Sequence, residues 1–195
     1  MDDRLHKKIA IGYFWSLIAK WMNRLVGVVS MLILVRLLSP TDFGIAALTN
    51  IVIALFVMMS EVGTEKYVIK AEHCTDGLLN SAWSLNLLLK CLCALFVASF
   101  SGLLAEWIEE PELKPVLLIC SVIPVLGALK NIGLVHYERD LNYYPLTRLS
   151  TTVKLAVFPI TICLALWYRN YWALVVGIIL NELFTLVGSY MIHPY

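Results

Sequence analysis

The sequence predicts an all-α membrane protein of six transmembrane helices, and three observations carry that prediction. The chain of 195 residues is 60% hydrophobic and only 15% charged, where a soluble domain has about a quarter of its residues charged. Its mean hydropathy is +0.79. Six apolar runs, at about 11–38, 43–66, 78–105, 113–135, 146–168 and 171–192, each approach or exceed the roughly 20 residues that a spanning helix needs.

The first run follows a polar, charged tail, residues 1–10, and is too long for the core of a signal peptide. It is therefore expected to stay as a helix. Ser39-Pro40-Thr41-Asp42 ends it, and Thr41 or Asp42 is placed to cap the second. Thr75-Asp76-Gly77 precedes the third run, Glu109-Glu110-Pro111-Glu112 the fourth and Asn142-Tyr143-Tyr144-Pro145 the fifth. Pro124 should kink the fourth helix. The last gap, Tyr168-Arg169-Asn170, is so short that helices five and six should form an antiparallel hairpin. Residues 193–195 are then a short end beyond the six-helix unit spanning 11–192.

Charge sets the orientation. With the amino terminus inside, Arg4, Lys7, Lys8, Lys66, Lys70 and Arg139 lie on the cytoplasmic side, and Arg36, Lys114 and Arg169 on the other. That bias favours cytoplasmic termini at both ends. Trp15, Trp107, Trp167, Tyr168, Tyr171 and Trp172 fall near span ends, as an interfacial aromatic belt would. The net charge of +1 gives no reason to expect nucleic acid as a partner. Membrane lipid is the expected surroundings.

Polar residues inside the runs are the functional signal. Ser16, Lys20, Asn23, Gly27 and Ser30 recur at the helical period, with Arg24 beside them, so a cationic stripe climbs an apolar helix. A charge near the bilayer centre costs about 2.5–3.5 kcal/mol on insertion scales, and normally faces protein or a watery cavity. Asn86 and Lys90 stand one turn apart in the third run, and Lys154 lies well inside the fifth. Asn181 and Glu182 lie near the middle of the sixth, the one mid-membrane place for an ion-coupling site. Lys154 and Glu182, on adjacent helices at similar depth, are also candidates for a simple ion pair. Glu61, at the far end of the second run, is expected near the cytoplasmic surface. The surplus of Lys20, Arg24, Lys90 and Lys154 over Glu182 suits a phosphate or pyrophosphate, with Arg offering bidentate contacts and Lys a point charge.

Catalysis has little support. His6, His73, His136 and His193 lie at or beyond span edges, and His136 and Asp140 miss the H-x-x-x-x-D spacing by one residue. No nucleophile–base pair, phosphate-binding glycine loop or metal cluster is visible, so neither an enzyme nor a cofactor is expected. Cys74, Cys91, Cys93, Cys120 and Cys163 read as small packing residues.

In Gly12-Tyr13-Phe14-Trp15-Ser16, Val35-Arg36-Leu37-Leu38-Ser39-Pro40-Thr41-Asp42-Phe43-Gly44, Ser60-Glu61-Val62-Gly63-Thr64, the segment Asn80–Asn86, Tyr137-Glu138-Arg139-Asp140-Leu141-Asn142-Tyr143 and His193-Pro194-Tyr195, the chain resembles the amino-terminal half of the O-antigen or exopolysaccharide flippases. These belong to the multidrug/oligosaccharidyl-lipid/polysaccharide exporter superfamily. The resemblance implies one lobe of a two-lobed fold that works by alternating access in the bacterial inner membrane. It also implies a central cationic lumen that passes a polyprenyl-pyrophosphate-linked oligosaccharide. Lys20 and Arg24 match the basic residues expected on the first helix, with Asn23 between them; Lys90 and Lys154 have the right chemistry without a matching motif. Family members are about twice as long, so a second lobe or a dimer partner is expected to complete the cavity. The rival expectations are a cation-coupled drug exporter, which wants acidic mid-membrane residues, a non-transporting membrane subunit, and a glycan polymerase or ligase, which wants large outer loops.

Overall fold

The computed structural model describes residues 2–61, 63–70, 75–140 and 142–192. Among them it has nine helices and no strand: α1 (Asp2–Leu37), α2 (Pro40–Ser60), α3 (Thr64–Lys70), α4 (Asp76–Trp107), α5 (Leu113–Cys120), α6 (Val122–Ala128), α7 (Leu134–Arg139), α8 (Tyr144–Tyr168) and α9 (Trp172–Ile192). Four of them, α2, α4 from Gly77 onward, α8 and α9, are long and apolar enough to cross a membrane by length and composition. Where the sequence reading expects six spans, the described residues thus give four candidates. Residues 193–195 lie outside the described residues, and the backbone of 2–10 is already part of α1.

The start of α2 shows how local chemistry sets these limits. Ser39 is the N-cap: its hydroxyl accepts from the Asp42 amide at 3.2 Å, and the Asp42 carboxylate accepts from the Ser39 amide at 3.0 Å. Pro40 fills the first turn, where its missing N–H leaves nothing unpaired. Asp42 also accepts from the Tyr171 amide at 2.8 Å and so ties the α8–α9 turn to α2. Burial, with the Glu112 and Asp42 carboxylates nearby, pushes the Tyr171 phenol above its usual range.

Two of the apolar runs are divided. The second stops at Ser60, and Gly63, at φ 78°, turns the chain into α3. The fourth becomes α5 and α6 and then α7. Pro124 has no N–H to give the Cys120 carbonyl, and the helix breaks at Ser121, whose hydroxyl donates to the Leu118 carbonyl at 2.7 Å. Ser121 itself keeps helical φ and ψ, so α5 and α6 form one apolar stretch, Leu113–Ala128, interrupted at that residue, and a non-helical connector, 129–133, follows.

Helices α1, α8 and α9 pack as one group and α2, α4, α5 and α6 as another, with α3 against α4 and α7 against α3 and α8. Side-chain contacts give the directions. Gly177 meets Thr161 and Gly188 meets Leu149, a nearly constant sum of residue numbers, so α8 and α9 are the antiparallel hairpin that the short turn predicts. Asn23 meets Thr151 and Gly27 meets Lys154, a nearly constant difference, so α1 and α8 run parallel. Val97, Val116, Leu117, Cys120 and Val175 are fully buried in the main core, which joins the two groups. Much of the rest of the apolar surface faces out, with Leu25, Leu32 and Leu95 more than 60% exposed. That is a surface for lipid.

Candidate functional site

The polar stripe of α1 divides along its length. Asn23, Gly27 and Ser30 turn toward the protein. The Asn23 amide nitrogen donates to the Thr151 hydroxyl at 3.0 Å, and that hydroxyl donates to the Thr147 carbonyl at 2.9 Å. The Asn23 side-chain oxygen is buried and has no hydrogen-bond partner among the described residues. Lys20 and Arg24 are exposed instead. The Arg24 guanidinium lies 5.6 Å from the centre of the exposed Trp21 ring, a cation–π contact at a surface.

Lys154 sits apart from that pair. It lines a cavity of about 490 Å³ between α1, α2, α8 and α9, with Gly27, Ser30, Asn50, Thr161 and Asn181 as the other polar or small lining residues. Its ammonium lies where Gly27 has no side chain; a Cβ there would stand 3.3 Å from Nζ. Among the described residues Lys154 has no ion pair or hydrogen bond. Most of the remaining wall is apolar, so the cavity combines one unneutralised cation with neutral hydroxyls and amides.

Lys90 belongs to a second cavity, about 580 Å³, whose charged and amide lining is Glu61, Lys66, Asn86, Lys90, Lys130 and Glu138 together with Asn131. Lys90 is 7% exposed. Its ammonium donates to the Val57 carbonyl at 3.3 Å and lies 4.0 Å from the Glu61 carboxylate. Val57 is in the last turn of α2, so the ammonium caps the negative end of that helix. Glu61 therefore stands against the middle of α4, which its expected place at the end of a span did not suggest.

Asn181 and Glu182, adjacent in sequence, part company. Asn181 lines the Lys154 cavity. The Glu182 carboxylate pairs with Lys130 at 2.8 Å, not with Lys154. Lys130 lies in the connector after α6, and the same connector is fixed by the Asn131 amide donating to the Ser189 hydroxyl at 3.1 Å and the Tyr190 hydroxyl donating to the Leu129 carbonyl at 2.9 Å. Lys20 and Arg24, Lys154 and Lys90 thus occupy three places. Glu61 and Lys130 are the residues that sequence reasoning missed as partners. The signal for Glu61 was Gly63, which follows the early stop of α2.

A family model described as polysaccharide biosynthesis protein matches residues 33–195. The chain belongs to that family. Lipopolysaccharide biosynthesis protein WzxC of Escherichia coli (strain K12) is 25% identical over 179 residues, 92% of this chain and 36% of the relative. Succinoglycan biosynthesis transport protein ExoT of Rhizobium meliloti (strain 1021) is 25% identical over 189 residues, 97% of this chain and 38% of the relative. An uncharacterized membrane protein in the cps region of Klebsiella pneumoniae is 19% identical, with the same 38% covered. The chain therefore spans little more than a third of the length of these curated relatives. No solved structure matches it significantly. Its apolar helices and these relatives make this member of the polysaccharide biosynthesis family a multi-pass membrane protein; the relatives' names speak of biosynthesis and transport, not of a catalysed reaction.

Proposed function

We propose that the chain is one lobe of a flippase that carries a polyprenyl-pyrophosphate-linked oligosaccharide across the bacterial inner membrane, with both termini cytoplasmic. Six passes are assigned to α1, α2, α4, α5 with α6, α8 and α9. The observation that carries the reading is the exposed pair Lys20 and Arg24 on α1, which has no acidic partner among the described residues. The relatives' names, which speak of lipopolysaccharide biosynthesis and of succinoglycan biosynthesis transport, support the substrate class. In this mechanism the pair binds the pyrophosphate from the cytoplasm, Arg24 by two parallel N–H donors and Lys20 as a point charge. Asn23, bonded to Thr151, fixes the rotation of α1 so that both cations face the lumen. Lys154 and Lys90 raise the positive potential from within the lobe. Rocking against a second lobe then exposes the site to the other face. No bond is made or broken.

A drug exporter of the same superfamily fits less well, because Glu182, the acidic residue it would use, is held by Lys130. The test is Lys20→Gln with Arg24→Gln in the bacterium that makes the protein. Each lost charged contact is worth about 1.5–3 kcal/mol, so surface glycan should fall by at least an order of magnitude at unchanged protein level. Normal glycan with normal protein level would remove the proposal.

A further inference from the structure

Lys90 carries three N–H donors, and the structure gives it one bond to use them on. That bond, to the Val57 carbonyl, is 3.3 Å long, outside the usual 2.7–3.2 Å range for such bonds. Glu61 at 4.0 Å is an ion pair without a hydrogen bond. Lys90 is 7% exposed and lines a cavity of about 580 Å³. A desolvated cation with donors to spare is the place where an anion gains most. Asn86, one turn earlier on α4 and lining the same cavity, has no hydrogen bond for its side-chain amide among the described residues. Lys66 on α3 is exposed at the same cavity. Of the other charged groups there, Lys130 is taken by Glu182, and Glu138 has an interaction of its own.

Glu61 is the odd member. Its side chain is 61% exposed while Lys90 is enclosed, so the carboxylate approaches from outside and is loosely held. It stands where α2 has ended and before Gly63 turns the chain, a position from which a carboxylate can swing without unwinding a helix.

We propose that Lys90, Asn86 and Lys66 form a second anion site inside the lobe, for a phosphate or pyrophosphate group, and that Glu61 is its tethered competitor. The Glu61 carboxylate occupies the Lys90 ammonium when no ligand is present and yields it when the group enters. This rests on the reading that the lobe handles a phosphate-type anion. It adds a site separate from Lys20 and Arg24 and an internal release element: as Glu61 returns to Lys90, it expels the headgroup.

The experiment uses the purified chain in detergent micelles, with farnesyl pyrophosphate and inorganic pyrophosphate as probes in calorimetric titration. Removing an exposed competing charge should tighten binding of Glu61→Gln by roughly two- to fivefold. Lys90→Gln should weaken binding by at least about tenfold, and adding Glu61→Gln to it should change nothing further, because the carboxylate acts only through Lys90. Lys90→Arg keeps the cation that caps α2; binding should persist there, which separates loss of the site from loss of the fold. A gain confined to farnesyl pyrophosphate assigns the site to a lipid headgroup, and an equal gain with both probes assigns it to the anionic group whatever its source. Unchanged or weaker binding in Glu61→Gln overturns the competitor. The double variant Lys20→Gln/Arg24→Gln separates the two ideas. If it weakens binding while Glu61→Gln has no effect, this inference alone fails. If it has no effect while Glu61→Gln tightens binding, the Lys20–Arg24 reading fails and this one stands. No binding by any variant sinks both.

Discussion

The pairing of Glu182 decides which cation of the lobe is left uncompensated, and a double-mutant cycle reads it directly. The Lys130 and Glu182 side chains are 2.8 Å apart and keep 30% and 23% of their exposure. At an effective dielectric of about 20, unit charges at that distance attract by about 6 kcal/mol before any desolvation. Partial exposure returns much of this, and polar pairs between membrane helices show couplings of about 0.6 kcal/mol on average and about 1.7 kcal/mol at most. The short, charge-assisted contact places this pair in the upper half of that range. The coupling of Lys130→Gln with Glu182→Gln should therefore be about 1–2 kcal/mol. Neither single variant should release the connector, because Ser189 and Tyr190 hold it on both sides of Lys130.

The assay is reversible unfolding of the purified chain in mixed micelles against increasing denaturing detergent. The same cycle for Lys154→Gln with Glu182→Gln should be additive within about 0.5 kcal/mol, as for groups that share no partner. A larger coupling at Lys154 than at Lys130 would refute the packing of α9 described above, and with it the assignment of Lys154 as an unneutralised cation.

Three further substitutions test the packing and the caps. Gly177→Ala places a Cβ 2.7 Å from the Thr161 hydroxyl and 3.0 Å from its methyl; overpacking of this kind should lower stability in the same unfolding assay by about 1–3 kcal/mol. Gly44→Ala, where a Cβ meets nothing within 4 Å in a helix, should instead be neutral or gain up to about 1 kcal/mol; a loss there would mean that α2 is covered by something else. Asp42→Ala removes both the capping box and the tie to Tyr171, and a midpoint shift worth about 1–3 kcal/mol is expected.

The long helices were legible because their signals are local. Apolar runs bounded by Ser39-Pro40 and by Tyr168-Arg169-Asn170 placed α2, α8 and α9 within three residues at the starts and the α8–α9 turn correctly. The partners of the charges were not legible, since depth along the sequence is read on the assumption that each apolar run is one uninterrupted helix. α2 has 21 residues and α4 has 32, or about 32 and 48 Å at 1.5 Å per residue, so the end of α2 meets the middle of α4 and brings Glu61 to Lys90. Lys130 escaped for a related reason. It stands on the connector 129–133, where the fourth run leaves the helix, and a continuous fourth helix would have carried it elsewhere.

Glu182 is paired with Lys130, and Glu61, from its exposed position, stands beside Lys90. Lys20, Arg24 and Lys154 then remain without an acidic partner among the described residues. A cation near the bilayer centre costs about 2.5–3.5 kcal/mol on insertion scales, a large share of a whole domain's stability of about 5–15 kcal/mol. An anionic partner outside the lobe, either carboxylates of a second lobe or the anionic headgroup of a lipid, would lower that cost. Headgroups alone predict a simple dependence. In vesicles of a neutral lipid, replacing a third of it with an anionic one should raise the unfolding midpoint of the chain, and the rise should shrink by half or more in Lys20→Gln/Arg24→Gln/Lys154→Gln. An equal rise in both proteins would show that the three cations are not the groups being neutralised, and would return them to the shelter of a protein partner.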